Sequence, residues 1–371
     1  MSTIRAFIRR EPVLLIALFA ALVSCIFVPP DKSYLDYIDL RTLALLYCLM
    51  VVVSGLRMSV LFTHFAHKLC EKASSVRAIG ITLILLCYFS SMFITNDVAL
   101  LTFVPFAVVV MAMIDRKREL IFVVVMQTVA ANLGSMLTPM GNPQNLYLYS
   151  FYDSTIQDFL RIMGPPAAVS LGLILLSCLT LPKTAHQLDI GEEPGIQKDR
   201  LYLYCVLFAV CLLTVIRVLS WQVMLIIVIT ILIVVDGKVL LKADFMLLLT
   251  FVAFFIFSGN LSRMDLVDSF LRTALIGREY LIAVLTSQVI SNVPAALLLS
   301  GFTDHTRALL LGVNIGGLGS PIASLASLIS LKFYSLSSGA NTKKYLILFL
   351  IINIIFLALL SAFEILLTIA Q

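Results

Sequence analysis

The sequence contains little charge: Asp, Glu, Lys and Arg make up only 13% of its 371 residues, and 61% are hydrophobic, with a mean hydropathy of +1.05. The surface of a water-soluble protein of this length needs more charged groups than this. The composition therefore excludes a water-soluble protein. Apolar runs of about 17 to 25 residues recur, each long enough to cross a bilayer as a helix. The alternating pattern of a transmembrane β-barrel is absent. These features predict an all-α polytopic membrane protein.

Other chemical groups are scarce too. The seven cysteines include no Cys-x-x-Cys pair and lie mostly within apolar runs, as reduced packing residues do. The four histidines fall in predicted loops or surface helices, which argues against a metal site, and no ATP-binding motif is present. Basic residues are confined to short loops between spans, so the net charge of +5 does not indicate nucleic acid binding. We therefore expect no cofactor, no metal and no nucleic-acid partner.

One acidic residue stands apart from the others. Asp97 lies within the apolar run 93–101, whereas we expect every other Asp and Glu at a helix end or in a loop. A carboxyl group at bilayer depth costs about 3 kcal/mol on insertion scales, so it is rarely there without a function. Asp97 is either a helix cap or a group that binds a proton or cation, and we favour the second.

A second polar tip occupies the corresponding place in the other half of the chain. Thr95-Asn96 aligns with Ser291-Asn292, and the segment Asn132–Pro139 aligns without gaps with Asn314–Pro321. Two motifs in the same order between matching apolar spans are hard to obtain by chance. The pattern predicts two structural repeats, each with a helical hairpin followed by a broken transmembrane helix.

The predicted boundaries follow from these motifs. A polar linker at 183–199 separates a first repeat, 1–182, from a second, 200–371. The hairpins and broken helices are predicted at 76–113 and 119–152 in the first repeat, and at 279–302 and 306–335 in the second.

The distribution of basic residues predicts the orientation. We place the N-terminus in the cytoplasm and treat both hairpins as re-entrant, so that an extra span at 200–217 inverts the second repeat. This topology puts 18 of the 26 Lys and Arg residues in the cytoplasm and 8 outside, in agreement with the positive-inside rule. It predicts a multi-pass protein of the cytoplasmic (inner) membrane, with the linker in the cytoplasm and the C-terminus outside.

Non-helical backbone at bilayer depth is tolerated only where it is buried in protein or lines a watery cavity. Inverted repeats would bring the two hairpin tips and the two helix breaks together at the membrane midplane, where free N–H and C=O groups bind ions. The predicted substrate- or ion-binding residues are Thr95, Asn96, Asp97, Thr138, Asn142, Asn145, Ser291, Asn292, Ser320, Ser324 and Ser327. The residues predicted to shape the backbone are Gly134, Pro139, Gly141, Pro143, Gly316 and Pro321.

The role of several of these residues stays open at this stage. Asn96 and Asn292 could simply cap the second arms of their hairpins, which is compatible with ligand binding. Thr138, Asn145, Ser320 and Ser327 could equally bind freed backbone carbonyls.

At these residues the chain resembles the ion transporter superfamily of arsenite permeases, NhaD-type sodium/proton antiporters, and citrate and dicarboxylate symporters. The symporters carry Ser-Asn-Thr at both tips, and this chain has Thr95-Asn96-Asp97 and Ser291-Asn292-Val293. The Asn-Asp tip and the segment 319–327 are more similar to the arsenite-permease branch. In its motifs as a whole, the chain most resembles the arsenite-permease or the citrate-transporter-like branch. The resemblance implies a homodimer held by scaffold domains, an elevator-type transport domain, and sites at Asn96 and Asn292 that could hold Na⁺ transiently.

These observations predict a secondary active transporter for a small anion or oxyacid, coupled to H⁺ or Na⁺ by alternating access. The alternative is a sodium/proton antiporter without an anion substrate, because the only fixed charge predicted at the site, Asp97, is negative. An intramembrane enzyme is not expected, since no second carboxyl group, histidine or nucleophile–base pair lies near Asp97.

Overall fold

The structure, a computed structural model, describes residues 11–185, 195 and 197–370. In these residues it is helical throughout and contains no β-strand beyond one isolated bridge between Ser75 and Ala185. The predicted linker 183–199 lies mostly outside the described residues.

The helices of the first half are, in chain order, α1 (Pro12–Phe27), α2 (Tyr34–Tyr37), α3 (Leu40–Met58), α4 (Leu61–Glu71), α5 (Val76–Ile94), α6 (Asn96–Met113), α7 (Lys117–Ser135), α8 (Pro143–Phe151) and α9 (Ile156–Cys178). The helices of the second half are α10 (Lys198–Val215), α11 (Trp221–Asp236), α12 (Phe245–Ser262), α13 (Asp265–Leu275), α14 (Glu279–Ile290), α15 (Asn292–Leu299), α16 (Thr306–Ile315), α17 (Leu325–Ser335) and α18 (Thr342–Ala370).

Seven helices among the described residues are long and apolar enough to cross a membrane by length and composition. They are α3, α5, α6, α9, α11 with its 3₁₀ extension, α12 and α18. Shorter apolar helices accompany them, α1 and α14 to α16 among them. The prediction of an all-α polytopic membrane protein is therefore confirmed.

Helices α5 and α6 form a tight pair that turns at Thr95. Helix α7 packs closely against α5, because a Cβ atom on Gly134 would lie only 2.1 Å from the carbonyl oxygen of Tyr88. At the other end of α5, the Arg77 side chain donates to the carbonyls of Leu179 and Leu181, just past the end of α9. These contacts hold the first hairpin against α7 near its tip and against the segment after α9 at its other end.

The hairpin of the second half is much shorter. Helices α14 and α15 have 12 and 8 residues, whereas α5 and α6 have 19 and 18. At 1.5 Å per residue, the first pair is about 27–28 Å long and the second about 12–18 Å. Each arm of the first hairpin is therefore long enough to cross a bilayer, and the arms of the second are not.

Two helices are interrupted after their hairpins. Helix α7 ends at Ser135, a 3₁₀ turn covers Pro139–Gly141, and α8 begins at Pro143, where proline suits the first helical position. In the second half the chain is not helical between the end of α16 and the start of α17, at 316–324.

Candidate functional site

The hairpin tips share a rare backbone conformation. Thr95 has φ 68° and ψ 151°, and Ser291 has φ 75° and ψ 157°. Residues other than glycine hardly ever adopt this region, and the strain costs about 1–3 kcal/mol per residue. Such strain concentrates at functional sites, and here it occurs at the matching residue of both tips.

The asparagine after each strained residue has a fixed orientation. The side-chain oxygen of Asn96 accepts from the N–H of Asp97 at 2.9 Å, and that of Asn292 accepts from the N–H of Val293 at 2.9 Å. Each Asn thus satisfies a free N–H at the start of its helix and leaves its amide nitrogen available for another partner. Capping and ligand binding are therefore compatible at both positions.

We call the first group of polar side chains the Asn132 cluster; it comprises Asn96, Asn132, Ser324 and Ser327, whose backbone N–H donates to the Ser324 carbonyl at 3.0 Å. Asn96 Nδ2 donates to Asn132 Oδ1 at 3.1 Å, and Ser324 Oγ donates to the same oxygen at 3.0 Å. Asn132 Nδ2 and Ser327 Oγ are buried and make no hydrogen bond with any described residue.

We call the second group the Asn314 cluster; it comprises Asn142, Asn145 and Asn314. Asn142 Nδ2 donates to Asn314 Oδ1 at 3.2 Å, and Asn314 Nδ2 donates to Asn145 Oδ1 at 2.6 Å. Asn142 also caps α8 by accepting from the Asn145 N–H at 2.9 Å. The Asn145 amide nitrogen lies 3.3 Å from three loop carbonyls, those of Ser135, Met136 and Thr138.

The remaining predicted polar residues hold the helix breaks against the hairpins. Thr138 donates its hydroxyl hydrogen to the carbonyl of Met92, near the end of α5. Ser291 Oγ donates to the carbonyl of Ala323 at 3.3 Å. The Ser320 N–H donates to Gln288 Oε1 at 2.9 Å, and the Gln288 amide nitrogen donates to the carbonyls of residues 316 and 318 at 2.7 and 2.8 Å.

The predicted backbone-shaping residues lie at close approaches and turns. A Cβ atom on Gly141 would lie 2.1 Å from the carbonyl oxygen of Ser135, and one on Gly316 would lie 2.9 Å from the Cα of Val284. Pro139 opens the 3₁₀ turn, and Pro321 lies half-buried in the second break.

Asp97 lies between two cavities of about 160 and 200 Å³. Its Oδ1 atom is buried and has no hydrogen-bond partner among the described residues. The smaller cavity is lined by both tips and the second break, with Asn96, Asp97, Ser291, Asn292 and Ser324 in its wall. The structure thus brings five predicted residues from the two halves to one cavity.

The larger cavity lies beside the first tip and carries charges of both signs. Thr95, Asp97 and Asn142 line it together with the exposed residues Arg57 and Lys242. Arg57 Nη2 donates to the carbonyl of Leu101 at 3.2 Å. Asp97 is the only fixed charge predicted at the site, and this expectation is wrong for the larger cavity, because Arg57, near the end of α3, and Lys242 also line it.

Four predicted residues, Thr138, Asn145, Ser320 and Ser327, line neither cavity. Sequence reasoning, in turn, gave no binding role to Asn132, Asn314 or Gln288, although each makes side-chain bonds to a predicted residue. Asn132 and Asn314 could have been identified, since they are the matching residues from which the repeat alignment starts.

A further buried carboxyl group lies away from the tips. Glu364, in α18, is only 3% exposed and forms an ion pair with Arg307 at 3.1 Å. The expectation that every acidic residue other than Asp97 lies at a helix end or in a loop is therefore wrong for Glu364, which lies within α18. Glu364 follows a long apolar run and lies more than a turn before the end of α18. Its basic partner Arg307, on α16, is far away in the sequence, so the ion pair could not be predicted from the local pattern.

Comparison with known proteins decides the family. The family model described as "Citrate transporter" matches residues 4–308. The chain belongs to the citrate transporter family. This membership confirms the resemblance inferred from the tips and identifies the chain as a membrane transporter.

Three proteins similar to this member of the citrate transporter family differ in their sequence identity and in the share of the chain that they cover. The chain is 33% identical over 330 residues to an uncharacterised transporter of Methanocaldococcus jannaschii, covering 88% of this chain and 89% of that one. It is 33% identical over 313 residues to the inner membrane protein YbiR of Escherichia coli, covering 82% and 83%. It is 27% identical over 167 residues to the silicon efflux transporter LSI3 of Oryza sativa, covering 44% of this chain and 34% of that one.

Proposed function

We propose that this protein is a secondary active transporter that moves a small oxyacid or anion across the inner membrane, coupled to H⁺ or Na⁺. The observation that carries the proposal is the smaller cavity, where both strained tips meet the Asp97 carboxylate, whose Oδ1 atom has no partner among the described residues. At about 160 Å³ it suits a ligand of a few heavy atoms, because pockets for drug-sized molecules are about 300–1,000 Å³.

The charge of this cavity favours an uncharged acid over a bare anion. Asp97 and Asp244 line it, and no Lys or Arg does so among the described residues. An anion would meet this negative field at short range unless a cation bound beside it. A hydroxyl-bearing oxyacid can instead donate O–H groups to the carboxylate and accept from the Asn amides. The partial similarity to a silicon efflux transporter supports this substrate class.

Asp97 is the proposed coupling residue. Moving its charge through the whole membrane field would involve about 2.3 kcal/mol per 100 mV. Protonation or binding of a cation would neutralise the carboxylate and lower the barrier for the loaded carrier. Transient Na⁺ binding beside Asn96 and Asn292 would have the same effect.

The resemblance also supplies the proposed movement. A transport domain that contains the hairpins and the broken helices would slide as an elevator against scaffold domains joined in a homodimer. In transporters built from inverted repeats, broken helices form the binding site, and access alternates largely by rigid-body movement of one repeat or bundle around it.

The test is flux in reconstituted vesicles under imposed pH or Na⁺ gradients, with orthosilicic acid as the neutral probe and citrate as the anionic one. We expect gradient-dependent accumulation of orthosilicic acid. If only citrate accumulates, the substrate is an anion and the proposal of a neutral acid is wrong.

The second candidate function is sodium/proton exchange without an acid substrate, which the acidic lining of the cavity favours. In the same vesicles, Na⁺-driven proton movement in the absence of any acid flux would establish it and overturn the first proposal.

A further inference from the structure

Three members of the Asn132 cluster correspond to the three members of the Asn314 cluster, and Asn96 is an additional member of the first. The alignment of Asn132 with Asn314 is a shift of 182 positions, and the same shift places Asn142 on Ser324 and Asn145 on Ser327. In each cluster, an asparagine lies on the helix that precedes the break in one half. Two further polar residues come from the other half, one from its break and one from the helix after that break.

The first contact is the same in both clusters. Ser324 Oγ donates to Asn132 Oδ1 at 3.0 Å, and its counterpart Asn142 Nδ2 donates to Asn314 Oδ1 at 3.2 Å. Each half thus provides a donor to the central asparagine of the other half.

The second contact differs. Asn314 Nδ2 has two acceptors, Asn145 Oδ1 at 2.6 Å and the carbonyl oxygen of Leu310 at 2.8 Å. At the position of Asn145 the Asn132 cluster has the shorter Ser327. There both Asn132 Nδ2 and Ser327 Oγ are buried, at 4% and 1% residue exposure, and have no partner among the described residues.

The orientation of the Asn132 amide is fixed by its neighbours. Asn96 Oδ1 is held by the N–H of Asp97, so Asn96 presents its nitrogen to Asn132. Turning the Asn132 amide over would place two NH₂ groups against each other and would leave Ser324 without its acceptor. The unpaired group is therefore a donor, and a buried donor requires an oxygen from a ligand or from water.

We infer that only the Asn132 cluster binds the transported molecule, through Asn132 Nδ2 and Ser327 Oγ, while the Asn314 cluster is closed by Asn145 and holds the two halves together. The expected ligand is an uncharged oxyacid that offers an oxygen to Asn132 and an O–H group to Ser327 or to Asp97. Asn132 is one hydrogen bond behind the cavity wall, since Asn96 and Ser324 both line the cavity. This inference rests on the proposed function and specifies which half of the site acts.

The test exchanges the residues that differ. Ser327→Asn gives the Asn132 cluster the residue that closes its counterpart, and Asn145→Ser opens the Asn314 cluster. We expect Ser327→Asn to weaken binding and uptake of orthosilicic acid at least tenfold while its melting temperature is kept or raised. We expect Asn145→Ser to lower the melting temperature and to change the affinity less than Ser327→Asn does.

A second pair of variants allows the inference to be tested even if Ser327→Asn fails to fold. Asn132→Asp retains an oxygen for Asn96 and Ser324 but replaces the unpaired NH₂, so binding of orthosilicic acid should fall at least tenfold. Asn314→Asp removes a donor that already has two acceptors, so its main effect should be a lower melting temperature.

The outcomes separate the two proposals. If the wild-type protein transports orthosilicic acid and Ser327→Asn and Asn132→Asp bind it normally, the Asn132 donor serves an ordered water and the inference is wrong. The inference is also wrong if the Asn314 variants lose affinity as strongly as the Asn132 variants. If the wild-type protein neither binds nor transports any acid, the proposed function fails and this inference fails with it.

Discussion

The two halves of the protein differ in the arms of their hairpins and agree at the tips. The arms have 19 and 18 residues in the first half and 12 and 8 in the second. Yet Thr95 and Ser291 differ by only a few degrees in φ and ψ, and the asparagine after each makes the same bond to the next N–H. The backbone conformation of the tip is therefore the same in both hairpins, whereas the lengths of the arms differ.

The hydrogen bonds between the halves extend this comparison. Each polar cluster is built from both halves, because Asn132 accepts from Ser324 and Asn314 accepts from Asn142. Neither half could form such a cluster alone. The acidic residue is not shared, since the first tip has Asp97 where the second has Val293. The two halves thus carry a charged tip and a neutral one, and the proposed coupling role falls on the charged tip.

The largest expected effect concerns the sides of the membrane. In a cysteine-free background, Asp304→Cys, between the second hairpin and α16, should react with an impermeant thiol reagent from outside. Asp115→Cys, between the first hairpin and α7, should react only from the cytoplasm. Both positions are exposed. Reaction of both from one side would contradict opposite insertion of the two hairpins and the orientation predicted from the Lys and Arg distribution.

The next effect tests the charged tip. Asp97→Asn should abolish gradient-driven accumulation of orthosilicic acid while exchange across the membrane survives, because the neutral amide mimics the neutralised carboxylate. Accumulation and exchange are measured separately in reconstituted vesicles.

The matched control is Asp244→Asn. Asp244 lines the same two cavities but is exposed and caps α12 through the N–H of Leu247, a role that Asn also fills. Asp97→Asn protein with unchanged accumulation and unchanged pH and Na⁺ dependence would show that Asp97 takes no part in coupling.

Substitution of the paired asparagines compares the tips directly. Asn96→Ala and Asn292→Ala should each lower transport at least tenfold, while the loss of a helix cap costs only about 1 kcal/mol of stability. Asn96→Ala should have the larger effect, because Asn96 also donates to Asn132. The measurement is initial uptake rate at equal amounts of folded protein.

The control is Asn353→Ala, which removes a buried asparagine of α18 whose amide donates only to the carbonyl of Phe349. Its transport should be close to wild type. Normal transport by both tip variants would reduce Asn96 and Asn292 to structural caps and move the site elsewhere.

The elements were easier to predict than their contacts. Apolar runs and polar interruptions fix where helices begin and break, so the broken helix predicted at 119–152 is indeed interrupted, between Ser135 and Pro143. The partners of Gln288, Asn132 and Glu364 depend on packing between distant segments, which no local pattern encodes. The reach of Arg57 into the larger cavity was missed for the same reason. The roles of the tip residues stay predictions.

A smaller effect tests the packing of the first half. Gly134→Ala should destabilise the protein by about 1–3 kcal/mol, because the new methyl group would lie 2.1 Å from the backbone oxygen of Tyr88. Gly172→Ala in α9 is the control, since nothing lies within 4 Å of its Cβ position; alanine there should be neutral or stabilising, as in other helices. Melting in detergent with both variants side by side checks this, and equal melting temperatures would contradict the close α5–α7 contact.

The smallest effect concerns the strain at the tips themselves. Glycine adopts the φ values of 68° and 75° without a Cβ penalty, so Thr95→Gly and Ser291→Gly should relieve strain at each tip. Relief of about 1 kcal/mol per site would be partly offset by the larger entropy of glycine in the unfolded chain. We therefore expect melting temperatures within a few degrees of wild type and slower transport, because a relaxed tip positions Asn96 or Asn292 less tightly. A strong loss of stability in either variant would mean that the Thr95 or Ser291 side chain, rather than the strained backbone, stabilises the tip, and a loss confined to one variant would show that the two tips are not held in the same way.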